Sequence, residues 1–153
     1  MRDLAVIDIG GTTIKFAAWR NIELMDIHAV DTPKSLEEFY EILEHETNDF
    51  KKKYDVKGVE ISAPGAVNKK TGVIEGASAL PYIHNFNIEQ ELERRFQLPV
   101  SIENDANCAA LAEVAEGAGR DCQNMSFIII GKGVGGSLIV NRKVWHGTDL
   151  FGC

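Results

Sequence analysis

The start of the chain carries a hydrophobic period of two. Residues 4–9 form a short apolar strand pattern that runs out in Asp8 and Gly10, and Gly10-Gly11 is a hairpin turn signal. In residues 13–19, Ile14, Phe16 and Ala18 alternate against Lys15, and residues 22–30 read as a third strand. An antiparallel meander is expected. The period then lengthens. Ser35 and Glu38 form a capping box, behind which Leu36, Phe39, Tyr40, Leu43, Thr47 and Phe50 recur at helical spacing. Lys51, Lys52 and Lys53 stand where a helix C-terminus favours cations, and read as a solvated helix end. Residues 58–63 look like a buried strand stopped by Pro64-Gly65, and 66–87 look irregular with a strand or two inside. Asn87 and Gln90 cap a short helix over 87–96, a strand follows at 99–103, and an Ala-rich helix at 104–116. The breaker 117–121 is a candidate domain boundary, beyond which 126–130 and 134–140 read as two strands around a glycine turn. This order predicts an α/β domain with a mixed sheet. The final hairpin is marginal by itself and must dock on something.

Composition narrows the class. A chain of 153 residues suits one domain, or one domain and a fragment of another. With 44% apolar and 25% charged residues it is neither disordered, collagen-like nor a disulfide scaffold. Acidic residues number 23 against 16 basic, a net charge of -7, which argues against a grip on nucleic acid phosphates. Anionic ligands stay open, because backbone N–H groups bind phosphate without net positive charge. No apolar stretch approaches the roughly 20 residues of a membrane span, and Asp8 interrupts any secretory h-region. Cys108, Cys122 and Cys153 are odd in number and share no metal-ligand spacing, which predicts free thiols and a cytoplasmic location. His84 and His146 lack a paired ligand and read as surface histidines, Tyr82 and Trp145 as packing residues, and Cys108 as a small buried apolar residue.

Three segments carry candidate chemistry. In Asp8-Ile9-Gly10-Gly11-Thr12-Thr13-Ile14-Lys15, paired glycines let backbone approach a bulky anion. Thr12 and Thr13 add hydroxyls, Lys15 offers a charge, and Asp8 is placed to hold Mg²⁺ through water. A plain hairpin whose glycines serve only the turn explains the same residues. In Gly131-Lys132-Gly133-Val134-Gly135-Gly136, four of six residues are glycine, more than a turn needs; a second phosphate cradle is favoured over a flexible loop. In Glu103-Asn104-Asp105-Ala106-Asn107 a strand gives way to a helix, and Asp105 at the helix N-terminus can take a proton from a hydroxyl. On this segment alone, simple capping by Asn104 or Asp105 is the favoured reading, because capping is common.

Together, and in this order, these segments resemble the N-terminal half of a ROK family sugar kinase, within the actin/hexokinase/Hsp70 ATPase superfamily. Residues 8–15 resemble the first phosphate motif, Ala63-Pro64-Gly65 the turn beside the sugar, and Leu80-Pro81-Tyr82 the Leu-Pro segment. Residues 103–107 resemble the junction carrying the catalytic base, and 131–136 the second phosphate motif. The pattern is closest to Gram-positive β-glucoside or glucose kinases. The resemblance implies a ribonuclease H-like domain over 1–119 and the first hairpin of a second such domain over 120–153. It implies ATP with Mg²⁺ near Asp8, phosphates on Gly10, Gly11, Thr12, Thr13, Lys15, Gly131, Lys132, Gly133, Gly135 and Gly136, and a sugar held by Gly65, Asn104 and Asp105. Asp105 would be the general base for transfer to a sugar hydroxyl.

The chain also departs from the pattern. Lys132 stands where the family has Thr, and Ala79 where many glucose kinases have a sugar-contacting Asn. In the family, a sugar-binding Glu, a Gly-His segment, a zinc site and the adenosine pocket follow Gly152, so no zinc site is expected in this chain and it is expected to be inactive alone. A non-catalytic, sugar-binding regulatory member is the alternative. Small-molecule sugar and ATP are the expected partners, with no membrane, and exposed apolar surface on the hairpin predicts a homodimer.

Overall fold

Burial along the first strand alternates residue by residue, and the sheet is built outward from it. A computed structural model describes residues 3–130 and 134–147. In β1 (Asp3–Ile9), Asp3, Ala5, Ile7 and Ile9 are buried while Leu4, Val6 and Asp8 are half-buried. β2 (Thr13–Arg20) pairs antiparallel with β1, and β3 (Glu23–Asp31) antiparallel with β2, which is the expected meander. After helix α1 (Leu36–Lys53) the chain returns as β4 (Val56–Ala63), parallel to β1. The short strands β5 (Ala66–Asn68) and β6 (Val73–Glu75) form their own hairpin, and a 3₁₀ turn covers Pro81–Ile83. Helix α2 (Ile88–Phe96) and β7 (Val100–Asn104) follow, giving a mixed five-stranded sheet in the order β3-β2-β1-β4-β7. Helix α3 (Asp105–Glu116) leads to β8 (Met125–Ile130), β9 (Val134–Val140) and β10 (Lys143–Val144), a small antiparallel sheet.

The helix signals act as expected. Ser35 Oγ accepts the Glu38 N–H at 3.3 Å and Asn87 Oδ1 accepts that of Gln90 at 2.9 Å. Phe39, Tyr40, Leu43, Thr47 and Phe50 are the buried stripe of α1. Lys51 is more than a solvated helix end, because its Nζ donates to the Phe96 carbonyl at 2.9 Å and caps α2.

The chain divides into two compact units between Ile102 and Glu103. In the first, Phe16, Phe39, Leu43, Leu80, Ile88, Leu92, Phe96 and Ile102 are almost fully buried in one core. In the second, Ala110, Val114 and Ile139 form a smaller core with Met125, Phe127 and Val144 against it. Cys108 is half-buried, less enclosed than expected, and Cys122 is exposed, while Cys153 lies outside the described residues. Trp145 is 56% exposed and does not serve as a packing residue. No helix among the described residues is long and apolar enough to cross a membrane.

Two features of the edge strand are testable. Asn21 and Ile22 form the β2–β3 turn with φ of 51° and 72°, a left-handed backbone that a β-branched side chain resists. Ile22→Gly should stabilise the fold by about 1 kcal/mol, read as a raised urea midpoint. His28 stacks on Phe16 (centroids 5.5 Å apart), with Nδ1 2.8 Å from the Asp26 carbonyl and Nε2 2.7 Å from Glu46 Oε2. The bond to the Asp26 carbonyl, then the one to Glu46, raise its pKa against the opposing pull of burial. A raised folded-state pKa favours the fold below the ordinary histidine value of about 6.5, and that stabilisation is lost as pH climbs through the raised value. Urea midpoints should fall over that window in the wild type, and His28→Gln should lack this component.

Candidate active site

Neighbouring strands place three polar side chains in one row. The β1–β2 register sets Asp8 opposite Lys15, and the β1–β4 register sets it opposite Ser62. Lys15 Nζ donates to Asp8 Oδ2 at 3.0 Å and Ser62 Oγ to Oδ1 at 2.9 Å. Ser62 was not singled out from the sequence, although its place four residues after Gly58 in a parallel strand is what brings it beside Asp8. The Lys15–Asp8 pair is 62% and 47% exposed, so it is weak enough for an arriving ligand to rearrange.

The turn above this row is tightly held. Gly10 N–H donates to the Thr13 carbonyl at 3.0 Å, Thr32 Oγ1 donates to the Gly10 carbonyl at 2.7 Å, and Thr32 N–H to that of Thr12 at 2.9 Å. Neither Gly10 nor Gly11 adopts a positive φ. Space is what demands glycine: a Cβ on Gly10 would lie 2.7 Å from the Thr13 carbonyl oxygen, and one on Gly11 2.7 Å from Ala79 Cβ. Thr12 is exposed and Thr13 half-buried.

Gly65 closes the other turn of this unit. Its φ of +101° suits only glycine, and a Cβ there would lie 2.7 Å from Ile74 Cγ2 and 3.0 Å from His84 Cε1. Leu80 is buried, and Tyr82 packs as expected, its ring edge-on to Phe39 and its hydroxyl donating to the Pro33 carbonyl at 2.6 Å. His84 is not a surface histidine. It is 7% exposed, with Nε2 2.6 Å from Ser78 Oγ and Nδ1 buried without a partner among the described residues.

The β7–α3 junction belongs to the second unit from Glu103 onward. Asn104 is the N-cap: its Oδ1 accepts the N–H groups of Ala106 at 3.0 Å and Asn107 at 3.2 Å. Asp105 is exposed; its Oδ1 accepts the Ala106 N–H at 2.8 Å, and its second oxygen meets no described residue. Glu103 holds the junction from beneath. Oε1 accepts from the Asn104 N–H at 2.8 Å and Asn107 Nδ2 at 3.0 Å, while Oε2 lies 2.9 Å from His146 Nε2. His146 therefore has a partner, contrary to the sequence expectation. Gly135 and Gly136 lie within β9, opposite Ile129 and Ile128, and a Cβ on Gly136 would lie 3.2 Å from the Phe127 carbonyl oxygen. Gly131, Lys132 and Gly133 fall outside the described residues.

Among the described residues no group of three or more His, Cys, Asp or Glu side chains is arranged to hold a metal. Asp8 is a single carboxylate with donors on both oxygens. That donor set does not suit a protein cage; it suits an outer contact to hydrated Mg²⁺, which takes most of its ligands from water and phosphate.

The mixed sheet, crossover and glycine-built turns define an actin-like α/β fold. Residues 4–152 match the model of the ROK family, and the chain belongs to that family. It is 38% identical over 150 residues to a β-glucoside kinase of Listeria monocytogenes, covering 94% of this chain and 49% of the relative. A ROK family protein of Streptococcus pneumoniae in complex with sucrose superposes with a TM-score of 0.83 at 39% identity, over 97% of this chain and 50% of that one. A ROK family glucokinase of Streptomyces griseus in complex with glucose and AMPPNP gives 0.84 at 29% identity, over 95% and 46%. The chain spans about half the length of the curated relatives it matches.

Glu103 serves three donors at once, so its removal is the direct probe of the junction. Glu103→Ala should cost about 1–3 kcal/mol in chemical denaturation, and His146→Ala, which removes one contact only, should cost less.

Proposed function

We propose that this chain carries the phosphate- and sugar-contacting residues of an ATP-dependent sugar kinase, which transfers the γ-phosphoryl group to a hydroxyl of a hexose or β-glucoside. The observation that carries the reading is the division of labour at the β7–α3 junction. Asn104 takes the cap, so Asp105 keeps a carboxylate oxygen for a substrate proton. Capping does not use up this segment, although it is the favoured reading of these residues in the sequence alone.

In this reading Asn104 and the Gly65 backbone hold sugar hydroxyls, and Asp105 withdraws the proton from the attacking one. The Gly10–Gly11 turn, Thr12, Thr13 and Lys15 contact the phosphates, and residues 131–136 are the second phosphate motif. Mg²⁺, when bound with ATP, neutralises phosphate charge, and Asp8 holds its water shell. Positioning and phosphate neutralisation supply most of the remaining rate. The names of the relatives support the substrate class: one is a β-glucoside kinase and another, a glucokinase, holds glucose and an ATP analogue. The division into a ribonuclease H-like domain over 1–119 and a second-domain hairpin over 120–153 is part of the proposal, as are a cytoplasmic location and a homodimer. Exposed Ile128, Ile130 and Val134 supply the apolar surface for the last.

The test is phosphoryl transfer by the full-length enzyme carrying this sequence. Asp105→Asn should lower turnover by about 10²–10⁴-fold while sugar affinity is kept. Near-normal turnover in that variant would remove Asp105 from the role of base.

A further inference from the structure

The mechanism above gives no task to the most deeply buried histidine. His84 follows the 3₁₀ turn at Pro81–Ile83, and its backbone is fixed on both sides: its own N–H reaches the Pro81 carbonyl at 3.4 Å and that of Asn85 the Ile74 carbonyl at 3.1 Å. The ring is 7% exposed and leaves Nδ1 unpaired, a costly arrangement that an apolar side chain of similar size avoids. What the imidazole adds over such a side chain is the 2.6 Å contact between Nε2 and Ser78 Oγ. Ser78 Oγ also accepts the Leu80 N–H at 3.2 Å, so the same hydroxyl fixes the backbone on either side of Ala79.

These contacts line up within the first unit. The Cβ that Gly65 lacks would lie 3.0 Å from His84 Cε1, and the Cβ that Gly11 lacks would lie 2.7 Å from Ala79 Cβ. A continuous path thus runs from the Gly65 turn through the His84 ring and Ser78 to Ala79 and the Gly11 turn. We propose that His84, through Ser78, is a positioning residue that sets the Gly65 turn at a fixed spacing from the Gly10–Gly11 turn, and so aligns bound sugar with bound phosphate. The proposal rests on the sugar-kinase reading for the nature of the two ligands. It does not rest on it for the geometry. His84 touches neither ligand in this account; it acts through the two turns.

The experiment compares His84→Leu, His84→Gln and Ser78→Ala with the wild type, all in the full-length enzyme carrying this sequence. Leu fills the space without bonding Ser78, whereas the Gln amide reaches the position of Nε2. Each protein is titrated by calorimetry with methyl β-glucoside and with AMPPNP, and the amide signals of Gly65, Ala79 and Gly11 are followed by NMR. His84→Leu and Ser78→Ala should weaken sugar binding roughly tenfold, the scale of one lost hydrogen bond, with AMPPNP affinity little changed in both and the thermal midpoint lowered in Ser78→Ala, which leaves the His84 ring unpaired. The Gly65 and Ala79 signals should move together, and His84→Gln should restore both readouts. Wild-type sugar affinity in His84→Leu, or equal losses in the Leu and Gln variants, would overturn the proposal. Should His84→Leu not fold, Ser78→Ala removes the same bond and gives the same decision. If the wild type takes up no sugar, the kinase reading fails and the amide signals decide. A joint shift of Gly65 and Ala79 that Gln reverses retains the brace, and unmoved signals refute it.

Discussion

The register of β1 against its two neighbours sets both the core of the first unit and the polar row at its edge, because side chains on a strand alternate faces. Pairing Ile7 with Phe16 on one side and Ile61 on the other buries three large apolar residues together. The same register, one residue on, brings Lys15 and Ser62 to either side of Asp8. A slip of a single residue would turn Ile7 and Ile9 outward and carry Asp8 into the core. Hydrophobic burial therefore enforces the placement of the candidate phosphate-side residues, which is why a weak, exposed Lys15–Asp8 pair can be positioned reproducibly without contributing much stability itself.

A second constraint is the absence of side chains. Gly11 and Gly65 each stand where a Cβ would collide with a neighbour, Ala79 in one case and Ile74 in the other. Through Ala79 at Gly11 and His84 at Gly65, both turns also lie against one segment, residues 78–84, whose Leu80 and Ile83 are anchored in the main core. Turns that would be mobile as isolated loops are instead clamped to packed structure, at Gly10 also by the Thr32 hydroxyl. Binding backbone held in this way pays little ordering entropy when a ligand arrives.

Much of this was legible in the sequence because local physics and global fold agree. Alternation gave β1 and β2, and the Ser35 and Asn87 caps gave the starts of α1 and α2, since each signal acts over a few residues. Gly11 is legible as part of a turn but not in its cause, which is a contact with Ala79, distant in sequence, whereas Gly10 answers to the nearby Thr13 carbonyl. His84 and His146 are illegible in the sequence for a like reason: the partners that define them, Ser78 and Glu103, are set by tertiary packing, and a lone histidine carries no local sign of burial. The burial of His84 follows from the turn at Pro81–Ile83 folding back on β6, and the role of Glu103 from the way β7 runs into α3 beside the strand pair β9–β10. Trp145 shows the converse, a large aromatic that packing leaves exposed.

The central claim is that one set of backbone turns contacts phosphate and another contacts sugar. It is tested most directly by mapping the two ligands separately on the amide spectrum of the chain. AMPPNP should perturb the signals of Gly10, Gly11, Thr12 and Thr13, and a glucoside those of Gly65, Asn104 and Asp105. Perturbation of other regions by both ligands, with these residues unmoved, would contradict the account.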